Sequence, residues 1–191
     1  MGAGGRPARA AAAAAEGGLE RLVEHDAPRD LPAFAFRDAE GAERTLAHPD
    51  FAGRGVVLNL WATWCAPCVA EMPALDRLAE ALAGEGVVVL ALSADRGGAE
   101  VVRPFYARVG LRHLGVWLDR GGAAGRALGA RGLPTTILVD GAGRERARAV
   151  GDLAWDAPEA VAAVRRLVAP GGGTPREAAR EAARGTPPTS S

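Results

Sequence analysis

Cys65 and Cys68 are the only cysteines in 191 residues, and they stand three positions apart. A Cys-x-x-Cys pair can be half of a zinc site, a structural disulfide, or a dithiol that cycles with its own disulfide. Zinc needs about four ligands. Beyond the cysteines the chain offers His25, His48 and His113, none at metal-ligand spacing. A structural disulfide closing so short a loop would remove little entropy from the unfolded chain. A redox dithiol is the chemistry these residues favour.

The surrounding pattern says what must hold the pair. Residues 56–61 form an apolar run of strand length, preceded by a turn signal at Gly53 and Gly55. From Val69 the period changes: Val69, Met72, Leu75, Leu78, Ala79 and Leu82 recur at three and four residues, as on one face of a helix. The switch from strand to helix falls on the cysteines. A helix N-terminus presents unpaired N–H groups and partial positive charge, and both favour a thiolate. Cysteines so placed titrate at roughly 3.5–7.5 instead of about 8.5. Cys65, at the turn, should be reachable and attack a partner's disulfide. Cys68, one turn on, should be more buried and resolve the mixed disulfide.

Composition sets the frame. One domain with tails fits 191 residues, and 48% apolar content can supply a core for ~140 of them. The formal net charge is zero, so no electrostatic case exists for nucleic acid or an anionic membrane. All 23 basic residues are Arg. No stretch approaches the ~20 apolar residues of a membrane span. Arg6 and Arg9 before the alanines 10–15 faintly echo an export signal, although the apolar part is short.

In chain order, residues 1–15 are low-complexity, residues 18–25 could form a short helix, and residues 26–32 read as a linker punctuated by Pro28 and Pro32. This makes residues 1–30 an N-terminal tail and linker, 31–169 the folded domain, and 170–191, with Gly171 to Gly173 and Pro187–Pro188, a disordered C-terminal tail. Residues 33–36 and 44–46 read as a β-hairpin around residues 38–41. Residues 86–92 should be a buried strand parallel to the first, 98–109 a helix, 116–118 a short strand and 123–130 a helix. Residues 135–139 and 145–150 should form an antiparallel hairpin, followed by a closing amphipathic helix over 156–168. Pro73 should kink the active-site helix.

Trp64-Cys65-Ala66-Pro67-Cys68 resembles the WCxPC active site of the thioredoxin superfamily. The longer string from Asn59 to Leu75 is similar to the TlpA-like thiol:disulfide oxidoreductases, relatives of the cytochrome c maturation thioredoxins. The resemblance covers residues 31–168. It implies an α/β thioredoxin-like fold, with a mixed central sheet, an N-terminal β-hairpin and an inserted βα unit. It implies a cis-proline at Pro134 beside the cysteines, with Trp64 as a half-exposed rim and Trp61 in the core. It implies that Glu71, one turn beyond Cys68, is a carboxylate near the dithiol that raises the thiol pKa values. The competing expectation is an exposed acid at a helix end. Thioredoxins proper carry a buried Asp where this chain has Asn59, which favours the TlpA branch.

Strong oxidants of the superfamily place a His between the cysteines, whereas Ala66-Pro67 carries no cation, so the resemblance implies a reductant. The redox centre is then the Cys65–Cys68 disulfide itself, with no other cofactor and no metal. The implied partners are protein disulfide clients, such as apocytochrome c or copper-site assembly proteins, and a membrane thiol reductase as electron donor. A monomer on the periplasmic side, free or membrane-anchored, is implied. Two alternatives stay open. A Sco-like copper module needs Cys-x-x-x-Cys and a distal His, one residue more than the spacing here, although Cu(I) favours thiolates. A thiol peroxidase needs Thr three residues before a single reactive Cys, whereas Thr63 stands two before Cys65.

Overall fold

The computed structural model describes residues 18–168. Of the N-terminal tail and linker assigned to residues 1–30, residues 1–17 lie outside the described residues, as does the tail assigned to 170–191, whereas residues 22–30 join the domain's sheet, so the folded domain begins before residue 31. Eight strands form one sheet: β1 (Leu22–Asp30), β2 (Phe36–Arg37), β3 (Glu43–Arg44), β4 (Gly55–Trp61), β5 (Val87–Ser93), β6 (Trp117–Leu118), β7 (Thr135–Val139) and β8 (Arg144–Val150). Four helices accompany them: α1 (Ala66–Ala81), α2 (Ala99–Val109), α3 (Ala123–Ala127) and α4 (Pro158–Val168). The strand order is β1-β8-β7-β4-β5-β6-β2-β3. β4 runs parallel to β5 and antiparallel to β7, and β5 runs parallel to β6.

β4 is buried along its whole length. Strands covered on both faces read as continuous apolar runs, which is what residues 56–61 show. Its alternate residues feed two cores. Val57 and Trp61 pack with Met72, Leu75 and Leu78 of α1 and with Val161 and Val164 of α4. Val56, Leu58 and Leu60 pack with Phe51, Ala124 and Leu128. At the start of β4, a Cβ on Gly55 would stand 2.2 Å from the Val168 carbonyl oxygen, so only glycine lets α4 close down there.

Most elements lie where periodicity puts them, with two corrections. Residues 18–32 were expected as a short helix and a linker. Only a single 3-10 turn forms, at Leu19–Arg21, and Leu22–Asp30 is an edge strand paired antiparallel with β8. Its burial shows no alternation, which is why it does not read as a strand: pairing with β8, not a buried face, holds it. Pro28 within it is compatible with an edge position. The helix expected over 123–130 stops at Ala127, and Gly129, at φ 67°, carries the chain away. The other elements lie within a few residues of expectation: the first hairpin pairs Phe36–Arg37 with Glu43–Arg44, displaced from 33–36 and 44–46, the β7–β8 hairpin turns at Asp140, and α1 continues through Pro73.

Candidate active site

β4 delivers the chain to the loop at residues 62–64, and Cys65 caps α1. Its backbone is extended (φ −91°, ψ 103°), and its Sγ accepts the Cys68 N–H at 3.4 Å. That N–H is one of the donors a helix start leaves free, aimed at the sulfur that would carry a thiolate. Pro67 occupies the first turn, where a missing N–H costs no helical bond. Cys65 and Cys68 are joined as a disulfide, with Cα atoms 5.2 Å apart. Cys65 retains 7% exposure and Cys68 none, the asymmetry expected of an attacking and a resolving sulfur. Trp64, beside them, is 71% exposed, a rim residue more open than half. Trp61 is fully buried and stacks on Tyr106, with ring centroids 5.8 Å apart.

Glu71 is not the exposed helix-end acid that one expectation allowed. It is completely buried. Its Oε1 accepts Asn59 Nδ2 at 2.8 Å; its Oε2 accepts the Leu153 N–H and the Trp155 indole N–H, each at 3.1 Å. Asn59 points this way because it shares the face of β4 that carries Val57 and Trp61. It pairs across the sheet with Thr136, whose hydroxyl oxygen also accepts Asn59 Nδ2, at 2.9 Å. Burial pushes the Glu71 carboxyl up to about 7. Its three hydrogen bonds pull the other way, and Asp152 adds to the rise.

The Leu133–Pro134 bond is cis. Pro134 leads into β7, whose Thr135 pairs with Leu60 near the end of β4 that leads to the cysteines. The structure thus brings Trp64, Cys65, Pro67 and Cys68 together in one turn and a helix start, with Glu71 one turn further along the same helix and Pro134 just before β7. Sequence reasoning missed two contributions. Asp95, just past β5, accepts the Thr63 N–H at 2.9 Å, the Thr63 hydroxyl at 2.7 Å and the Ser93 hydroxyl at 2.8 Å, which clamps the loop before Cys65. Leu153 and Trp155 reach Glu71 from more than 80 positions away, and no local pattern signals that contact. Among the described residues no group of three or more His, Cys, Asp or Glu gathers as a metal site, and no helix is long and apolar enough to cross a membrane.

Comparison with known proteins places this geometry. The Redoxin family model matches residues 27–164. The chain belongs to the Redoxin family. It is 37% identical over 116 residues to the thiol-disulfide oxidoreductase ResA of Bacillus thuringiensis subsp. konkukian; the match covers 61% of this chain and 65% of that protein. It thus spans slightly under two thirds of that relative's length. Among solved structures, this redoxin resembles a secreted thiol-disulfide isomerase from Corynebacterium glutamicum, at 25% identity and TM-score 0.62, over 75% of this chain and 91% of that one. It also resembles the exposed lipoprotein thioredoxin of Streptococcus pneumoniae strain TIGR4, at 25% identity and TM-score 0.58, over 71% and 99%. The fold is thioredoxin-like, with the mixed sheet and flanking helices that the motif implied.

Proposed function

We propose that this redoxin is a thiol:disulfide oxidoreductase that reduces disulfides in other proteins outside the cytoplasm. The observation that carries the reading is the Cys65–Cys68 pair at the start of α1, with the less buried cysteine next to the exposed Trp64 and its sulfur accepting a helix N–H. The Cys65 thiolate attacks one sulfur of a client disulfide. A Cys65–client disulfide forms, and the other client sulfur leaves as a thiolate and takes up a proton. The Cys68 thiol gives up its proton, and its thiolate attacks Cys65 Sγ. The internal disulfide closes and the second client thiolate is released. Two electrons have passed to the client, and an external dithiol donor must return them.

In this reading Glu71 opposes ionisation of the dithiol by its charge and can accept the proton that Cys68 loses. Pro134 and Trp64 border the face where a client docks. The name of the ResA relative and the secreted isomerase among the structural neighbours support the activity and the compartment. Resemblance to TlpA-like proteins suggests apocytochrome c or copper-site assembly proteins as clients, and a membrane thiol reductase as donor.

Trapping tests the reading. Cys68→Ser should accumulate a covalent mixed disulfide with a reporter client such as insulin, and Cys65→Ser should accumulate none. Trapping by Cys65→Ser alone would reverse the roles, and failure of the wild type to reduce insulin would sink the proposal. A reduction potential near −250 mV fits a reductant, and one near −120 mV an oxidant.

A further inference from the structure

Glu71 owes its place as much to the loop after β8 as to its own helix. Residues 153–156 are tied to α1 twice. The Leu153 N–H and the Trp155 indole N–H donate to Glu71 Oε2, each at 3.1 Å, and Asp156 Oδ2 accepts Arg77 Nε at 2.7 Å. Trp155 is completely buried, so no solvent can replace its partner. An indole N–H can only donate. Leaving a buried donor unpaired is costly, and the acceptor that Trp155 meets is Glu71.

We propose that Trp155 is a positioning residue of the dithiol site, its indole N–H fixing the Glu71 carboxylate one turn beyond Cys68 and favouring its charged form. This rests on the reading of Cys65, Cys68 and Glu71 given above. The geometry carries it. Two donors already occupy Oε2, so a proton on Glu71 must either displace one of them or sit on Oε1 beside Asn59 Nδ2. The charged carboxylate accepts all three without conflict. The donors thereby offset the burial that would otherwise keep the acid neutral.

Trp155 shares this bias with the Asn59 amide and the Leu153 N–H, and among the described residues no cation adds to it. β4 and β7 present the neutral Asn59 and Thr136. The buried face of α4 is aliphatic. The charged neighbour whose field reaches Glu71 is Asp152, which acts against ionisation and is itself paired with Arg21 at 3.1 Å. Arg77, on α1, is engaged by Asp156. The dithiol on which Glu71 is proposed to act stands at the start of the same helix, Cys65 as its cap and Cys68 in its first turn.

Trp155→Phe keeps a flat aromatic ring and removes the donor. Four full-length proteins are compared in the reduced state, by thiolate absorbance against pH: wild type, Trp155→Phe, Glu71→Gln and the double variant. Without the indole N–H, Glu71 holds its proton to higher pH and opposes thiolate formation less. The Trp155→Phe thiolate should therefore appear at lower pH than in wild type, by about half a pH unit or more, towards the Glu71→Gln curve. Adding Trp155→Phe to Glu71→Gln should move the curve no further.

A Trp155→Phe curve that superimposes on wild type while Glu71→Gln differs would make Trp155 a packing residue only and overturn the proposal. So would a Trp155→Phe displacement that persists in the E71Q background. A Glu71→Gln curve identical to wild type would remove the role of Glu71 and the proposal with it, while insulin reduction by the wild type reports separately on dithiol exchange. If Trp155→Phe does not fold, benzothienylalanine at position 155 keeps the two-ring shape with sulfur in place of the N–H, and the same curves decide.

Discussion

A buried carboxyl that titrates near neutrality should leave its mark on folding stability. Glu71 has an ordinary value of 4.5 and is pushed up to about 7 in the fold, chiefly by burial. Between those values the native state binds a proton that the unfolded chain has released. Stability must therefore fall as pH rises through that window, by at most about 1.4 kcal/mol per pH unit. Over an interval of about 2.5 pH units the loss attributable to Glu71 is about 3 kcal/mol, fully present above pH 7 and absent below 4.5.

Glu71→Gln removes the titration. Its amide also turns an N–H towards one of the three donors, which costs a fixed amount, but that offset does not vary with pH. The measurement is urea unfolding of the disulfide-closed protein from pH 4.5 to 8, for wild type and variant. Keeping the disulfide closed removes the thiols from the titration, and the remaining ionisable groups are common to both proteins. The wild-type stability minus that of the variant should drop by about 3 kcal/mol across the window. Two stability profiles that stay parallel throughout would refute the argument, because Glu71 would then be equally protonated in both states.

Two further perturbations probe the same frame. In the reduced protein, Glu71→Gln should lower the thiol pKa values and make the couple more oxidising, by roughly 30 mV for each tenfold gain in thiol acidity; equilibration with glutathione reads the potential, and the pKa values belong to the coupled site. Asp76, on α1, accepts the N–H groups of Arg112, His113 and Leu114 through one oxygen. Asp76→Ala should cost about 2 kcal/mol in denaturant unfolding with the thiol titration unchanged, and an altered titration would mean that the loop after α2 reaches the site.

The fold was legible where side-chain burial drives the backbone. β4 and β5 read as continuous apolar runs because both of their faces are covered, and α4 reads as a helix because Val161, Val164 and Val168 form one buried stripe. β1 was illegible for the converse reason. Charged residues and a proline interrupt it, as suits a sheet edge, and its hydrogen bonds to β8 leave no trace in its own residue pattern. The cysteines were legible through one motif; the cis-proline was expected only through the family resemblance, and for Glu71 exposure and burial both stayed open. The clamp by Asp95 and the donors from residues 153–155 were not legible, since each is a contact between elements distant in the chain.

Glu71 shows what the sequence did hold and how it could be misjudged. Cys68, Met72, Leu75, Leu78 and Leu82 define the buried stripe of α1, and position 71 stands three residues after Cys68, inside that stripe. A carboxylate there cannot reach water. It must be neutral, paired with a cation, or surrounded by donors. No cation stands among its hydrogen-bond partners, and three N–H donors do. Such a site holds an acid close to the point where either state is accessible at neutral pH. The destabilisation predicted above pH 7 and the tuning proposed for the dithiol then share one origin, the charge on Glu71. A variant that removes one consequence should remove the other.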